Sequence, residues 1–297
     1  MVTVLITGGT GLVGQLIRKK LTLKGYQVRI LTRNPKESNE YVWNIANKTI
    51  DEKVFENLDY IIHLAGAGIA DKKWTKKRKQ EIIDSRTKST QLLLTKIQEL
   101  KINLKGFIAA SAIGYYGAIT SEKIFTEVDN PAKDFLGDVC YQWEQNSLKF
   151  QQENIPTTIV RIGIVLSNNG GALTKMNTPV LITPIGNGKQ YLPWIHIEDL
   201  SSLFIKAIED SNFTGIYNAV APDTQTSKSF SKALASKTKK LFIPIGVPKF
   251  VLQLLFGEMA IILTTGSRIS SKKIEKTGFQ YSFKNLNKAL DDILKKQ

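Results

Sequence analysis

Three glycines near the start of the chain, Gly8, Gly11 and Gly14, have the type and spacing needed to hold a phosphate group. They follow an apolar run, residues 2–6, and precede a helical pattern over residues 12–23. A strand, a glycine turn and a helix in this order leave backbone N–H groups unpaired at the positive end of the helix dipole, which suits a pyrophosphate. The glycines allow a tight turn, close approach of phosphate, and close packing of helix on strand. The sequence therefore predicts a dinucleotide site, with an ordinary glycine turn as the alternative.

The end of the second predicted strand indicates which dinucleotide is bound. In NAD-binding units an acidic residue usually stands there and holds the ribose 2′-hydroxyl. This chain has Thr32 and Arg33 instead. A guanidinium offers a planar pair of donors that suits a 2′-phosphate. We therefore expect NADP(H) to be preferred over NAD(H), although an Arg after a strand is also common on ordinary protein surfaces.

The elements that must position these residues alternate along the chain. Strands are predicted at residues 2–6, 27–31, 60–64, 106–110, 157–162 and near 216–220, and helices at residues 12–23, 76–100, 135–152 and 197–210. Strands separated by helices imply an α/β fold, a Rossmann-type doubly wound parallel sheet covered on both faces. Ligands of such sheets bind beyond the carboxyl ends of the strands. The segments that follow the strands are therefore where chemistry is expected.

The pattern changes in the second half of the chain. Residues 167–193 are rich in turns, and from residue 222 onward the segments are mostly helical. We expect an NADP-binding domain over residues 1–220, with residues 167–193 contributing to the substrate cleft. A smaller, mainly helical C-terminal lobe over residues 221–297 is expected to cover the substrate side of the nucleotide site.

Composition argues against several kinds of site. Cys140 is the only cysteine, so an intrachain disulfide is excluded and a reducing, cytoplasmic compartment fits. His63 and His196 are the only histidines, which argues against a catalytic metal, and His196 is interpreted as a structural hydrogen bonder ahead of a helix. The most apolar run, residues 250–264, is too short to cross a bilayer, so no membrane contact is expected.

The basic charge of the chain leaves one question open. The formal net charge is +15, and the densest basic run lies within residues 71–79. Such charge can attract nucleic acid, anionic lipid or phosphorylated ligands. Because the other lysines are spread over predicted helix faces, nucleic-acid binding is not expected. The run is interpreted as a solvated loop and helix start, with an anion-facing patch as the alternative.

Five motifs in one order resemble a known superfamily. They are Gly8-x-x-Gly11-x-x-Gly14, His63-Leu64-Ala65-Gly66, Ser111-Ala112-Ile113-Gly114-Tyr115-Tyr116-Gly117, Arg161-Ile162-Gly163-Ile164-Val165-Leu166 and Trp194-Ile195-His196-Ile197-Glu198-Asp199-Leu200. The chain resembles the extended or atypical short-chain dehydrogenase/reductases, and more narrowly the NAD-dependent epimerase/dehydratase-like epimerase family proteins. Members of that group carry a C-terminal domain of unknown function, which residues 248–294 resemble. The resemblance covers essentially the whole chain.

The resemblance implies which residues meet the cofactor. It assigns to the pyrophosphate Thr10, Gly11, Leu12 and Val13, and to the adenosine ribose phosphate Thr32 and Arg33. It also assigns to the cleft wall Leu64 and Ala65, to NADP Glu81 and Arg86, and to the nicotinamide end Val165. Helical periodicity alone does not support a joint role for Glu81 and Arg86, because residues five apart do not share one helix face well.

The catalytic part of the resemblance fails. The superfamily uses a Tyr four residues before a Lys, which lowers the pKa of the Tyr, together with a Ser or Thr and often an Asn. The corresponding positions in this chain hold Cys140, Glu144, Ala112 and Arg86. The candidate substitutes are Ser111, Tyr116, Tyr141 and Glu144. Core packing is an equally open interpretation of the tyrosines.

Two hypotheses about function follow. In the first, the chain is an NADP(H)-dependent oxidoreductase or epimerase that acts on a small substrate whose identity the sequence does not give. In the second, it is a catalytically inactive NADP(H)-binding sensor or regulatory protein. The sequence leaves an oligomer possible in both cases.

Overall fold

The computed structural model describes residues 1–295, so Lys296 and Gln297, at the end of the expected C-terminal lobe, lie outside the described residues. The strands are β1 (Thr3–Thr7), β2 (Gln27–Thr32), β3 (Glu40–Asn44), β4 (Thr49–Ile50), β5 (Tyr60–His63), β6 (Gly106–Ala112), β7 (Ile124–Phe125), β8 (Thr157–Ile162), β9 (Ile164–Leu166), β10 (Leu181–Ile182), β11 (Trp194–His196), β12 (Gly215–Ala219), β13 (Leu241–Phe242) and β14 (Arg268–Ile269). The α-helices are α1 (Leu12–Leu23), α2 (Lys76–Glu99), α3 (Phe135–Leu148), α4 (Ala172–Met176), α5 (Ile197–Glu209), α6 (Ser227–Thr238), α7 (Lys249–Phe256), α8 (Ala260–Thr264), α9 (Lys272–Lys276) and α10 (Leu286–Lys295). Short 3₁₀ turns span Glu52–Phe55, Ile113–Tyr116, Lys149–Glu153 and Gly257–Met259.

An eight-stranded sheet forms the centre of the molecule, in the order β12-β8-β6-β5-β1-β2-β3-β4. Its strands pair in parallel except β3 and β4, which form an antiparallel edge. The predicted α/β doubly wound fold is therefore confirmed. The carboxyl ends of β1, β5, β6 and β8 meet at one edge of the sheet, which places the segments that follow them side by side.

Helices cover both faces of this sheet. Ile17 and Leu21 of α1 pack with Phe204 of α5 in one buried cluster. Leu93 and Ile97 of α2 belong to a second cluster, formed against the opposite sides of the same strands. Because each central strand contributes to both clusters, its sequence is a continuous apolar run, as is typical of a sheet buried on two faces.

The sequence missed parts of the sheet and one helix end. It did not predict β3 and β4, which are short and carry polar residues facing solvent. The predicted helix over residues 135–152 ends at Leu148 and tightens into a 3₁₀ turn up to Glu153. Asn154 then adopts the left-handed conformation, which ends the helical chain path.

The C-terminal part packs with the turn-rich segment before it. Strand β10 pairs with β13, and Leu173, Ile182 and Leu290 share one buried cluster. The segment predicted to contribute to the cleft, residues 167–193, thus forms a common core with residues 221–294. Within residues 1–295, no helix is both long and apolar enough to span a membrane.

Candidate active site

The glycine turn between β1 and α1 has the geometry of a phosphate cradle. Gly8 has a φ of +69°, and a Cβ there would lie 3.0 Å from the carbonyl carbon of Leu64. A Cβ on Gly14 would lie 2.3 Å from the carbonyl oxygen of Gly8, so only glycine lets α1 start this close to the turn. Gly11 precedes the first turn of α1 and supplies no side-chain cap, so the helix N-terminus stays open to a ligand. The residues present fit a dinucleotide pyrophosphate.

Thr7 holds the turn after β5 beside this cradle. Its hydroxyl oxygen accepts the backbone N–H groups of Leu64 and Ala65, both at 3.2 Å. The same hydroxyl lies 2.7 Å from Nδ1 of His63 and is completely buried. The turn after β5 is therefore locked to the end of β1, which holds Leu64 and Ala65 beside the glycine turn.

His63 links this lock to α2 as a neutral imidazole. With its oxygen accepting two N–H groups, Thr7 donates its hydroxyl proton to Nδ1, so the proton of the ring lies on Nε2. Nε2 lies 3.2 Å from Ser89 Oγ and 3.0 Å from Thr90 Oγ1. Burial, together with the charge of Arg86, lowers the pKa of His63 to about 3. His63 belongs to one of the five sequence motifs, but the sequence does not predict this positioning role.

The adenosine end of the cleft carries no free carboxylate near β2. Thr32 is partly buried at the end of that strand, and Arg33 is exposed just beyond it. The two carboxylates that follow, Glu37 of the next loop and Glu40 at the start of β3, form ion pairs with Arg18 of α1. An exposed cation, Arg33, thus stands at the position where NAD-binding units carry an acid.

Two arginines of α2 hold the loop after β5. Nη2 of Arg78 donates to the carbonyl of Gly68 at 2.5 Å, and Nη1 of Arg86 donates to the carbonyl of Ala67 at 3.0 Å. Glu81 is exposed and pairs with Arg78 at 2.8 Å, whereas the Arg86 guanidinium is largely buried, and burial lowers its pKa. The structure therefore brings Arg86 to the cleft loop but places Glu81 on the outer side of the helix.

Val165 and His196 lie on neighbouring short strands. Val165 of β9 is partly buried and pairs in register with Ile195 of β11. His196 follows at the N-terminus of α5, where its Nδ1 accepts the N–H of Glu198 at 3.1 Å. The expected structural role of His196 is confirmed.

A buried polar network occupies the ends of β6, β8 and β12, where catalytic groups were sought. The Arg161 guanidinium donates from Nε and Nη2 to the two carboxylate oxygens of Glu144, both at 2.8 Å. Ser111 donates its hydroxyl proton to Glu144 Oε1 at 2.6 Å. From Nη1, Arg161 also donates to the hydroxyl of Tyr116 at 2.8 Å, and Tyr116 donates to Asn218 at 2.7 Å. Ser111, Tyr116 and Glu144 are thus brought together, through a residue that was not predicted.

Arg161 belongs to one of the five sequence motifs but is assigned no role from the sequence, although its position in the strand indicates one. It stands within the apolar strand β8 and is 1% exposed, so it had to find a buried partner. Burial disfavours its charge, but the hydrogen bonds and charge of Glu144 outweigh burial and raise the pKa of Arg161. Its guanidinium carbon also lies 3.4 Å from the ring centre of Tyr115. A charged residue in a doubly covered strand is the pattern that could have indicated the network.

The network positions side chains rather than offering an acid or base. Tyr116 donates its only hydroxyl proton to Asn218 and accepts from Arg161, and burial raises its pKa to about 12. Burial and the charge of Glu144 likewise raise the pKa of Cys140 to about 12. Tyr141 is 43% exposed on α3 and does not join the network. The geometry therefore gives no support to Tyr116 or Tyr141 as a proton donor.

The basic run within residues 71–79 divides into two parts. Arg78 and Lys79 have partners inside the molecule, and Lys79 pairs with Glu258 at 2.6 Å. The remaining lysines of the run, Lys72, Lys73, Lys76 and Lys77, are exposed. The exposure of these four lysines agrees with the interpretation of the basic run as a solvated loop and helix start. Across residues 1–295 there is no cluster of His, Cys, Asp or Glu side chains suited to a metal.

Comparison with known proteins places this cleft in a family. Residues 4–219 match the NAD dependent epimerase/dehydratase family, and residues 247–293 match a domain of unknown function, DUF1731. The chain therefore belongs to the NAD-dependent epimerase/dehydratase family, whose members bind nicotinamide cofactors.

Relatives of the same length share both parts. An epimerase family protein from Staphylococcus aureus (strain NCTC 8325 / PS 47) is 35% identical over 299 residues, which cover 98% of each chain. Epimerase family protein YfhF from Bacillus subtilis is also 35% identical and covers 97% of each chain. Among solved structures, human epimerase family protein SDR39U1 with NADPH is 29% identical and superposes with a TM-score of 0.88 over 99% of this chain and 100% of that one.

Proposed function

We propose that this chain binds NADP(H) at the carboxyl edge of its sheet and acts as an oxidoreductase or epimerase on a small substrate. The observation that carries the preference for NADP(H) is the end of β2, where Thr32 and exposed Arg33 stand and both nearby carboxylates are paired with Arg18. The human relative with NADPH supports the same choice. A cytoplasmic location, expected from the cysteine content, stays a prediction.

Residues of this chain would hold the cofactor at three points. The N–H groups of Thr10, Leu12 and Val13 would bind the pyrophosphate, while the N–H of Gly11 donates to the carbonyl of Gly8 and lets the phosphate approach the turn. Arg33 would bind the 2′-phosphate, and the locked turn at Leu64 and Ala65 would line the adenosine side. Val165 would lie toward the nicotinamide, which supplies or accepts a hydride when bound. Arg161 and Glu144 would keep the ends of β6 and β8 rigid beneath that ring.

A second candidate is a catalytically inactive NADP(H)-binding protein. The polar network favours it, since three of the four expected catalytic side chains, Ser111, Tyr116 and Glu144, are hydrogen-bonded within the protein. In this case cofactor binding alone would be the function. Tight NADP(H) binding without turnover across broad panels of carbonyl and sugar substrates would favour this candidate.

Isothermal titration with NADPH and NADH tests the cofactor assignment. We expect NADPH to bind at least about tenfold more tightly, and Arg33→Ala to remove most of that difference, because a bidentate phosphate contact is lost. Lys36→Ala is the matched control, since Lys36 is an exposed cation in the same loop. Equal affinity for the two cofactors, or an unchanged preference in Arg33→Ala, would show the assignment to be wrong.

A further inference from the structure

An apolar cluster, here called the apolar wall, lies where the loop after β5 and the start of α3 meet the C-terminal part. Its side chains pack around buried Trp74 and Met259, and each remains partly exposed. The members of the apolar wall are Ile69, Phe135, Leu136, Phe256, Ile261 and Ile262. Partly exposed apolar side chains from three separate segments form an apolar surface whose contact with water is unfavourable.

This wall adjoins the cofactor cleft at two points. Ile69 belongs to the loop that begins at Leu64, and the indole N–H of Trp74 donates to its carbonyl at 2.9 Å. At the other end, a Cβ on Gly114 would lie 3.6 Å from Cβ of Leu136, so the wall reaches the turn after β6. The apolar wall therefore extends from the loop after β5 to the turn after β6, and both segments follow the carboxyl ends of central strands, where ligands of such sheets bind.

Proton donors are scarce along this part of the cleft. The position of the usual catalytic hydroxyl is Ala112, and that of the usual phenol is Cys140, which is 5% exposed. Ser111 donates its only proton to Glu144. These three positions therefore offer no matched donor to a substrate that needs a proton from the protein during reduction, such as a simple ketone or a sugar carbonyl.

One cation stands at the floor of the same region. The Arg86 guanidinium carbon would lie 3.0 Å from a Cβ on Gly66 and is 4.9 Å from the ring centre of Trp143. Its Nη1 donates to two backbone carbonyls rather than to a carboxylate, so its charge is not neutralised by that contact. A lone positive charge beside an apolar wall favours a ligand that becomes negative on an oxygen atom.

We propose that the cleft between the apolar wall and Arg86 binds a flat, apolar, conjugated carbonyl compound of the quinone class. This inference rests on the proposed NADP(H)-dependent oxidoreductase function. The quinone gains a hydride from reduced nicotinamide, becomes a hydroquinone anion, and takes its remaining proton from water, so that NADPH, H⁺ and quinone yield NADP⁺ and hydroquinone. Arg86 stabilises the anion, and delocalisation over the ring removes the need for a protein acid.

Binding of 1,4-naphthoquinone to the NADP⁺-loaded full chain tests the proposal without turnover. We expect saturable quenching of tryptophan fluorescence, which Trp74→Phe should reduce because the apolar wall packs around Trp74, and Trp143 beside Arg86 should account for part of the remainder. Phe256→Ser should weaken binding about tenfold, as loss of a central aromatic contact does. Leu255→Ser is the matched control, since Leu255 is the neighbouring residue of α7 and is 57% exposed.

Turnover adds a test of Arg86. Arg86→Met should lower the rate of naphthoquinone reduction on the order of a hundredfold, and Arg86→Lys should restore part of it, because the charge is kept. UDP-glucose serves as the polar comparison ligand. If NADP⁺ binds but naphthoquinone does not, or if UDP-glucose binds more tightly, the quinone inference is overturned while cofactor binding stands. If neither NADPH nor NADP⁺ binds, the proposed function falls and the inference with it.

Discussion

At the residue scale, Arg161 holds the polar centre of the site together. Its guanidinium donates to Glu144 on one side and to Tyr116 on the other, and both partners are buried. Because the charges are fully desolvated, each is tolerated only in the presence of the other. Replacing Arg161 or Glu144 alone should therefore lower the free energy of unfolding much more than replacing both residues.

We expect Glu144→Met to lower the free energy of unfolding by about 3–5 kcal/mol, because it leaves the Arg161 charge buried without a counter-ion. The double variant Glu144→Met with Arg161→Met should recover a large part of that loss. Urea denaturation measures both. Lys105→Met is the control, since Lys105 is 60% exposed in its pair with Asp59 and should cost at most about 1 kcal/mol. Additive losses from the two single variants would contradict the pairing.

His63 makes a prediction about pH. Unfolded His63 binds a proton below its ordinary pKa of 6.5, whereas the folded side chain does so only near pH 3. The contribution of His63 to the free energy of unfolding should therefore be fully present above pH 6.5. As pH decreases from 6.5 to about 3, this contribution should fall by up to about 1.4 kcal/mol per pH unit. Since Gln does not titrate, the His63→Gln variant lacks this contribution, and denaturation at several pH values measures the difference. Parallel curves for the two proteins would be inconsistent with a buried neutral imidazole.

At the element scale, the contact between α1 and the turn after β1 sets the shape of the phosphate cradle. The helix approaches so closely that a methyl group at Gly14 would meet the backbone of Gly8 and Gly9, at 2.3 and 2.7 Å. Backbone atoms cannot swing aside as a flexible side chain can. The start of α1 must therefore shift if Gly14 is replaced.

Gly14→Ala should lower the free energy of unfolding by about 1–3 kcal/mol through this clash. It should also weaken NADPH binding more than tenfold, because the first-turn N–H groups move away from the pyrophosphate. Thermal unfolding and isothermal titration measure the two effects. Lys19→Ala, on the exposed side of the same helix, should change neither. Normal NADPH affinity in Gly14→Ala would mean that the turn is not the phosphate site.

Much of the element order was predictable from the sequence, because apolar runs and glycine positions report local conformation directly. The central strands and α1 follow from such patterns. The network around Arg161 did not, because its members come from β6, α3, β8 and β12, and nothing local links Ser111 to Asn218 across the fold. The exposure of Tyr141 could not be predicted either, because residues three apart on a helix lie on neighbouring positions of one face, and only the packing of α3 decides that Glu144 is buried and Tyr141 is not.

At the scale of the whole molecule, one cluster joins the sheet domain to the C-terminal part. Trp74 and Ile82 from the first part pack with Met259 from the second, and Lys79 pairs with Glu258 beside them. The loop that begins at Leu64, beside the cofactor cradle, reaches this junction at Ile69, and Arg86 donates to the carbonyl of Ala67 in the same loop. Binding of cofactor and of substrate is therefore expected at one continuous cleft rather than at separate sites.

A crystal structure of the chain grown with NADPH tests the central claim most directly. The account predicts density for the pyrophosphate against the N–H groups of Thr10, Leu12 and Val13 and for the 2′-phosphate within hydrogen-bond distance of Arg33. The nicotinamide should lie between Val165 and the apolar wall. A well-ordered cofactor bound elsewhere, or a 2′-phosphate turned away from Arg33 into solvent, would contradict it.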